Sequence, residues 1–285
     1  MKMNDQNRIT CGILCTFALL AGCDSSVRRE ALGGGAITPV KVTLLRDDAG
    51  GSDGGSSAAD AGPKITEFGT VTGRITVNGT LPQLPDLVAK GSAQKDAICS
   101  ANTIENESIQ GTDGGLGNVF VFLKKVPNVD VPAPSEEAVE IDQKGCVFVP
   151  HAVLVQTGQP VIFKNSDPVA HNVKVQGRAN TYDGTINPGG QSNYTFQLAE
   201  STPAGAICNF HSWMSAVVFP MSHPWGVITA LDGTFRIENV PAGKMEFAIW
   251  HEKIGYVERG LVVDVPANGE ASPIAVAVDA ANLTK

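Results

Sequence analysis

Residues 208–214 read Cys-Asn-Phe-His-Ser-Trp-Met, so Cys208, His211 and Met214 stand three apart on one short segment. Upstream, Asn165-Ser-Asp-Pro-Val-Ala-His-Asn-Val places His171 at the start of a candidate strand. A thiolate, two imidazoles and a weak axial thioether are the donor set of a blue-copper electron-transfer centre. Soft sulfur donors suit Cu(I) and imidazole suits Cu(II). A site between the two preferences changes oxidation state with little rearrangement. Zinc fits less well, because a thioether is a poor zinc ligand and structural zinc prefers more thiolates. A Cys–His nucleophile pair is a further reading, but no recognisable oxyanion hole or substrate pocket accompanies it. The remaining alternative is a metal-free core that merely buries Cys208 and Met214. No enzyme activity is expected.

The elements around these residues read as strands. The chain has 285 residues with 31 Gly and 17 Pro, abundant Val and Thr, and no long Leu/Ala/Glu/Lys runs, a composition that favours β structure. Period-two or apolar runs predict strands at 69–77, 119–123, 147–155, 161–164, 172–175, 193–198, 216–219, 225–230, 234–237, 246–249 and 260–265. Asn78-Gly79 and Pro241-Ala-Gly243 read as turns, and Asp232-Gly233 as a hairpin turn. Residues 93–99 are a candidate short helix, and the Gly/Pro-rich stretch between Tyr182 and Gln191 reads as a loop. Many short strands at even spacing mean sandwiches or barrels, so the fold class is all-β.

Residues 140–222 resemble a cupredoxin of the plastocyanin and amicyanin kind. The resemblance rests on Phe148-Val-Pro, Val155-Gln-Thr-Gly-Gln-Pro-Val-Ile-Phe-Lys-Asn, His171-Asn-Val and Ala206-Ile-Cys-Asn-Phe-His-Ser-Trp-Met. It implies a Greek-key β-sandwich holding one type 1 copper on His171, Cys208, His211 and Met214. It also implies that Asn172 ties the two ligand loops together. His211 would be the partly exposed ligand through which electrons enter, with Trp213 in an apolar docking rim. Ser212 departs from the family, whose loops of this spacing carry Pro.

The flanks resemble a carboxypeptidase regulatory-like, transthyretin-like sandwich. The matching residues are Gly69-Thr-Val-Thr-Gly-Arg-Ile and Val227-Ile-Thr-Ala-Leu-Asp-Gly-Thr-Phe-Arg-Ile-Glu-Asn-Val-Pro-Ala-Gly-Lys. Chains of this combination are called methylamine-utilisation-like proteins, and nothing in these residues shows methylamine as a substrate. The implied layout is a first half of this second small β-sandwich at 64–135, the cupredoxin at 136–222 and the second half at 223–285. Three other histidines need roles. His151 is read as a satisfied polar residue. His223, His251 and Glu252 are read as interdomain hydrogen-bonding groups, with a second metal site as the alternative.

The amino terminus is an address. Lys2 and Arg8 precede a short apolar run at 9–22 ending Leu-Ala-Gly-Cys, which resembles a bacterial lipobox. Residues 1–22 are thus expected to be a lipoprotein signal peptide, with Cys23 lipidated and held at a membrane outside the cytoplasm. Residues 23–63 are Gly/Ser/Asp/Ala-rich and read as a flexible tether. The formal charge is −8; removing Lys2, Arg8 and Asp5 makes it −9, and no basic patch suits nucleic acid. With Cys11 and Cys15 cleaved away, Cys23 acylated and Cys208 on copper, Cys99 and Cys146 remain to form a disulfide in an oxidising compartment. The expected function is single-electron transfer between an extracytoplasmic donor and acceptor protein. Copper storage without redox partners is the alternative, and a structural surface-binding sandwich is another.

Overall fold

The computed structural model describes residues 62–92 and 96–284, and the expected signal peptide, Cys23 and most of the expected tether lie outside them. The strands are β1 (Phe68–Asn78), β2 (Phe120–Leu123), β3 (Val139–Gln143), β4 (Phe148–Val149), β5 (Ala152–Gln156), β6 (Pro160–Asn165), β7 (His171–Gln176) and β8 (Thr181–Ile186). They continue as β9 (Gln191–Thr195), β10 (Ala204–Ile207), β11 (Ser215–Met221), β12 (Gly226–Ile228), β13 (Thr234–Pro241), β14 (Gly243–His251), β15 (Gly255–Val265) and β16 (Ile274–Asp279). The fold is all-β. Among the described residues no helix is long and apolar enough to cross a membrane.

Four sheets form, in the orders β13-β1-β16, β12-β2-β14-β15, β5-β11-β10-β7-β8 and β4-β3-β6-β9. The first two enclose one core that includes Ile75, Leu116, Val121, Trp225 and Phe247. The last two enclose another, built on Ile141, Phe148, Phe163, Val173, Phe196 and Val218. The chain leaves the first sandwich after β2, builds both sheets of the second, and returns through β12.

A third apolar layer joins the sandwiches. Phe120 and Phe122 of β2 and Ala248 of β14 pack with Ala152 of β5 and Val217, Phe219 and Met221 of β11. The strand period of two explains how one strand serves two cores. In β11, Ala216 and Val218 face the second core while Val217, Phe219 and Met221 face this seam. In β2, Val121 and Leu123 face the first core while Phe120 and Phe122 face the seam. Both strands therefore read as unbroken apolar runs, as sheets covered on both faces require. Phe219 sits edge-on between Phe122 and Phe120, with ring centroids 4.7 and 6.0 Å away.

Several expectations need correction. The single strand at 147–155 is two, β4 and β5, in different sheets. Pro150 has no N–H for a ladder and stands where the chain changes sheet. The expected loop at 182–191 is instead mostly strand at its start: it contains most of β8, paired along its length with β7. Strands β3, β10 and β16 were not foreseen; each carries Gln, Asp, Gly or Ala where a strand signal wants large apolar residues. Asp232-Gly233 makes a tight turn, with Gly233 at φ 80° and its N–H on the Ala230 carbonyl at 2.8 Å. Yet β12 and β13 lie in different sheets, so it crosses between layers and closes no ladder. A Cβ on Gly233 would lie 1.9 Å from the Ile75 carbonyl oxygen, which excludes any side chain there. Of the candidate helix at 93–99, residues 93–95 are not described, and the one helical turn nearby is 3-10, at Cys99–Ala101.

The second metal site does not form. His223, His251 and Glu252 belong to none of the three-residue groups, among the described residues, whose ligand atoms converge within 4.8 Å. His151 Nε2 instead pairs with the Glu252 carboxylate, a bond between the sandwiches. His223 Nδ1 accepts the Trp225 N–H at 3.2 Å and its ring stacks on that indole. His251 Nδ1 accepts the Lys253 N–H at 3.3 Å, and its Nε2 is buried without a partner. Burial pushes both His223 and His251 down to about 4, against weaker opposing contributions from the Leu123 backbone and from Glu252 respectively. Glu200 is also buried. Burial alone would raise its carboxyl, but bonds from the Asn180 side chain and the Asn180, Arg178 and Ala179 amides hold it below the ordinary value.

Two predictions follow from this packing. Phe219→Ala is expected to cost about 3–5 kcal/mol in urea unfolding, the usual loss for emptying a buried aromatic site. The second concerns acid. Above pH 6.5 neither state protonates His223 or His251 and their contribution is whole. Between pH 6.5 and about 4 the unfolded chain takes protons that the folded chain refuses, so stability falls, by up to about 3 kcal/mol per histidine. Unfolding free energies at pH 7.5 and 4.5 check this, and His223→Gln and His251→Gln should each flatten the dependence.

Candidate metal centre

The site lies at one end of the second sandwich. β7 begins at His171, and β10 and β11 are joined by the 208–214 loop. That loop is closed twice by its own backbone: Met214 N–H donates to the His211 carbonyl at 2.9 Å, and Cys208 N–H to the Met214 carbonyl at 3.2 Å. The exposed Ser212 therefore does not leave the loop open. β10 pairs with both β7 and β11, which brings His171 beside the loop.

His171 Nδ1 and His211 Nδ1 face each other at 2.9 Å, and Cys208 Sγ lies 3.8 Å from His211 Nδ1. His171 is fully buried, Cys208 is 2% exposed and Met214 1%. Met214 packs in the same core as Cys208. Cys208 Sγ accepts the Asn172 N–H at 3.3 Å. Asn172 also ties the loops: its Oδ1 accepts the Asn209 N–H at 3.3 Å, and its Nδ2 donates to Asp183 at 2.8 Å.

The electrostatics favour a thiolate beside imidazole. Burial would raise the Cys208 thiol, but bonds from His171 and the Asn172, His211 and Phe210 amides bring it below its ordinary value. Burial would lower His171, and Cys208 and Asp167 outweigh it, so His171 is raised. His211 is lowered, by burial first and then by the charge on His171. A cation placed among these groups would replace the shared protons.

His211 is only 7% exposed, less than the partly open edge expected of it. Trp213 is half-buried with its ring 4.9 Å from that of His211, and the exposed aromatic of this loop is Phe210, at 54%. The segment before the second sandwich also reaches this end. Val88, Cys99 and Ile104 are part of its core, and Cys99 forms the expected disulfide with Cys146.

Sequence reasoning missed Asp167. Its carboxylate is buried, lies 2.9 Å from His171 Nε2, and accepts the Gly145 and Cys146 N–H groups at 2.6 and 2.8 Å. The signal was present as an acid four residues before the ligand in an Asn-Ser-Asp-Pro turn. Gln143, fully buried on β3, donates to the Asn172 carbonyl at 3.0 Å and was likewise unforeseen.

The donor set fits a metal ion. Two bonds of about 2.0 Å at a tetrahedral angle separate nitrogens by about 3.3 Å, and bonds of about 2.0 and 2.3 Å separate nitrogen from sulfur by about 3.5 Å. The nitrogens at 2.9 Å and the sulfur at 3.8 Å lie within a few tenths of those spans. His171, His211 and Cys208 would supply the three strong donors, and Met214 the weak fourth.

No family model matches this chain, and no curated protein sequence does. Solved structures similar to it include cupredoxins. A purple cupredoxin from Nitrosopumilus maritimus is 18% identical over 29% of this chain and 99% of its own, with a TM-score of 0.26. A copper-containing nitrite reductase from Thermus scotoductus is 20% identical over 34% of this chain and 24% of its own, with a TM-score of 0.27. Amicyanin from Paracoccus versutus is 21% identical over 32% of this chain and 86% of its own, with a TM-score of 0.27.

Proposed function

We propose that this protein is a type 1 copper protein that carries single electrons between extracytoplasmic redox partners. The observation that carries the reading is the convergence of His171 Nδ1, His211 Nδ1 and Cys208 Sγ in a nearly dry end of the sandwich. Copper bound there supplies a one-electron couple. The chain's part is to hold the donors still and dry. Sheet pairing fixes His171 against the loop, two backbone bonds close the loop, and the Asn172 N–H stabilises negative charge on Cys208. In this reading the protein is a carrier, not an enzyme, and its partners are a donor and an acceptor protein. The Leu-Ala-Gly-Cys boundary supports a lipid anchor at Cys23, and the Cys99–Cys146 disulfide is in keeping with an oxidising compartment. The low exposure of His211 favours a second reading, copper holding without redox partners.

Cu(II)-loaded protein is expected to show an intense visible thiolate-to-copper band, and Cys208→Ser to abolish it. Met214→Leu should keep the colour and raise the reduction potential, because loss of axial donation disfavours Cu(II). His223→Gln and His251→Gln should leave the band unchanged. Reversible voltammetry of the coloured protein supports electron transfer; copper that binds without cycling supports the holding role; and absence of the band overturns the type 1 assignment. Mass spectrometry of the mature amino terminus should find Cys23 acylated, and an unmodified terminus downstream of it would reject the anchor.

A further inference from the structure

Cys146 sits at a junction. Its backbone N–H donates to Asp167 Oδ2 at 2.8 Å, and Asp167 Oδ2 in turn lies 2.9 Å from His171 Nε2. Its carbonyl accepts the Trp213 indole N–H at 3.2 Å, and the Trp213 ring lies against His211. Its sulfur is bonded to Cys99, on the segment that reaches over from before β2. One residue therefore touches the supports of both histidines.

Its backbone is held in an unusual conformation. Gly145 and Cys146 are consecutive residues at φ 67° and 59°, and the left-handed region is disfavoured for a residue with a Cβ. That geometry aims both amides at one carboxylate, with Gly145 N–H on Asp167 Oδ1 at 2.6 Å. Asp167 is fixed from its own side too. Its N–H donates to Asn165 Oδ1 at 3.0 Å, and Asn165 Nδ2 spans to the Val169 and Ile186 carbonyls at 2.8 and 2.9 Å.

A carboxylate can only accept. Nε2 of His171 is therefore the protonated nitrogen of the neutral ring, and the lone pair is on Nδ1, which faces His211 and Cys208. A carboxylate behind an imidazole fixes its tautomer and orientation and raises its basicity as a ligand.

We propose that Asp167 is the positioning residue for His171 and that it couples the donor cluster to the Cys99–Cys146 disulfide. The coupling to a reduction potential rests on the copper reading above; the control of the imidazole does not. Loss of the carboxylate weakens His171 as a donor to Cu(II) more than to Cu(I), so the potential rises. Loss of the disulfide loosens the two amides that aim Asp167, and acts in the same direction through the same residue.

The test has two arms. In metal-free wild type, at a pH high enough to make the His171 ring neutral, 15N NMR is expected to find it protonated at Nε2 and bare at Nδ1, and Asp167→Asn, checked for folding by thermal melt, to give a mixture of tautomers. A neutral wild-type His171 that is protonated at Nδ1 and bare at Nε2 overturns the proposal without any variant. In the copper-loaded protein, Asp167→Asn should shift the Cu(II)-over-Cu(I) preference at least tenfold, an upward change of about 59 mV for a one-electron couple. The Cys99→Ala/Cys146→Ala pair should shift it in the same direction. Adding Asp167→Asn to that pair should then change the preference less than it does in wild type, because both act along one path. An unchanged potential in Asp167→Asn overturns the positioning role, and fully additive shifts overturn the coupling. If wild type shows no thiolate-to-copper band, the copper reading fails and the NMR arm alone decides the role of Asp167.

Discussion

Strand β2, and β11 beyond Ser215, are buried on both faces, and the rest of the structure is arranged around that burial. Phe120, Phe122, Phe219, Met221 and Ala248 form an apolar seam between β2 and β14 on one side and β5 and β11 on the other. Aromatic pairs of this kind contribute both area and edge-to-face geometry. The seam holds an inserted sandwich against its host, where two chain crossings alone would leave a hinge. It also reaches the chemistry. β11 begins one residue after Met214, so the carboxyl end of the donor loop is anchored by a strand buried on both faces.

The other end of the cluster is held by polar groups. Asn165, Asp167, Asn172 and Gln143 are all buried, and each bonds backbone on a neighbouring segment. Such networks hold one geometry when satisfied, and are costly when they are not. The disulfide fastens the preceding segment to this end. Closing its loop, with Cys99 and Cys146 47 apart in sequence, contributes about 4 kcal/mol in the chain-entropy account. Apolar packing thus positions the sulfur side of the cluster, and hydrogen bonds with the covalent link position the imidazole side.

Much of this was legible in the chain. The β class, most strands of both sandwiches, the Cys-x2-His-x2-Met loop and the partner His171 all have local signatures: periodicity, turn residues and ligand spacing. Asp167 and Gln143 have none of comparable strength, since a polar residue acquires its role from what is folded against it. Strands β3, β8, β10 and β16 were missed because small or polar residues can sit in a ladder that neighbouring strands stabilise. The Asp232-Gly233 turn was legible as a turn, but not as a crossing between sheets.

What the sequence determines by itself is therefore local: which residues can donate to a metal, where most strands lie, and which two cysteines remain to pair. The tertiary structure decides which of those residues meet. It converges His171, Cys208 and His211 while sending His151 to Glu252 and leaving His223 and His251 as buried neutral rings. It also covers His211 more completely than the loop alone implies. The physical reason is that ligand type and strand period are properties of a few neighbouring residues. Convergence and burial depend on sheet order and on layers assembled from segments distant in the chain.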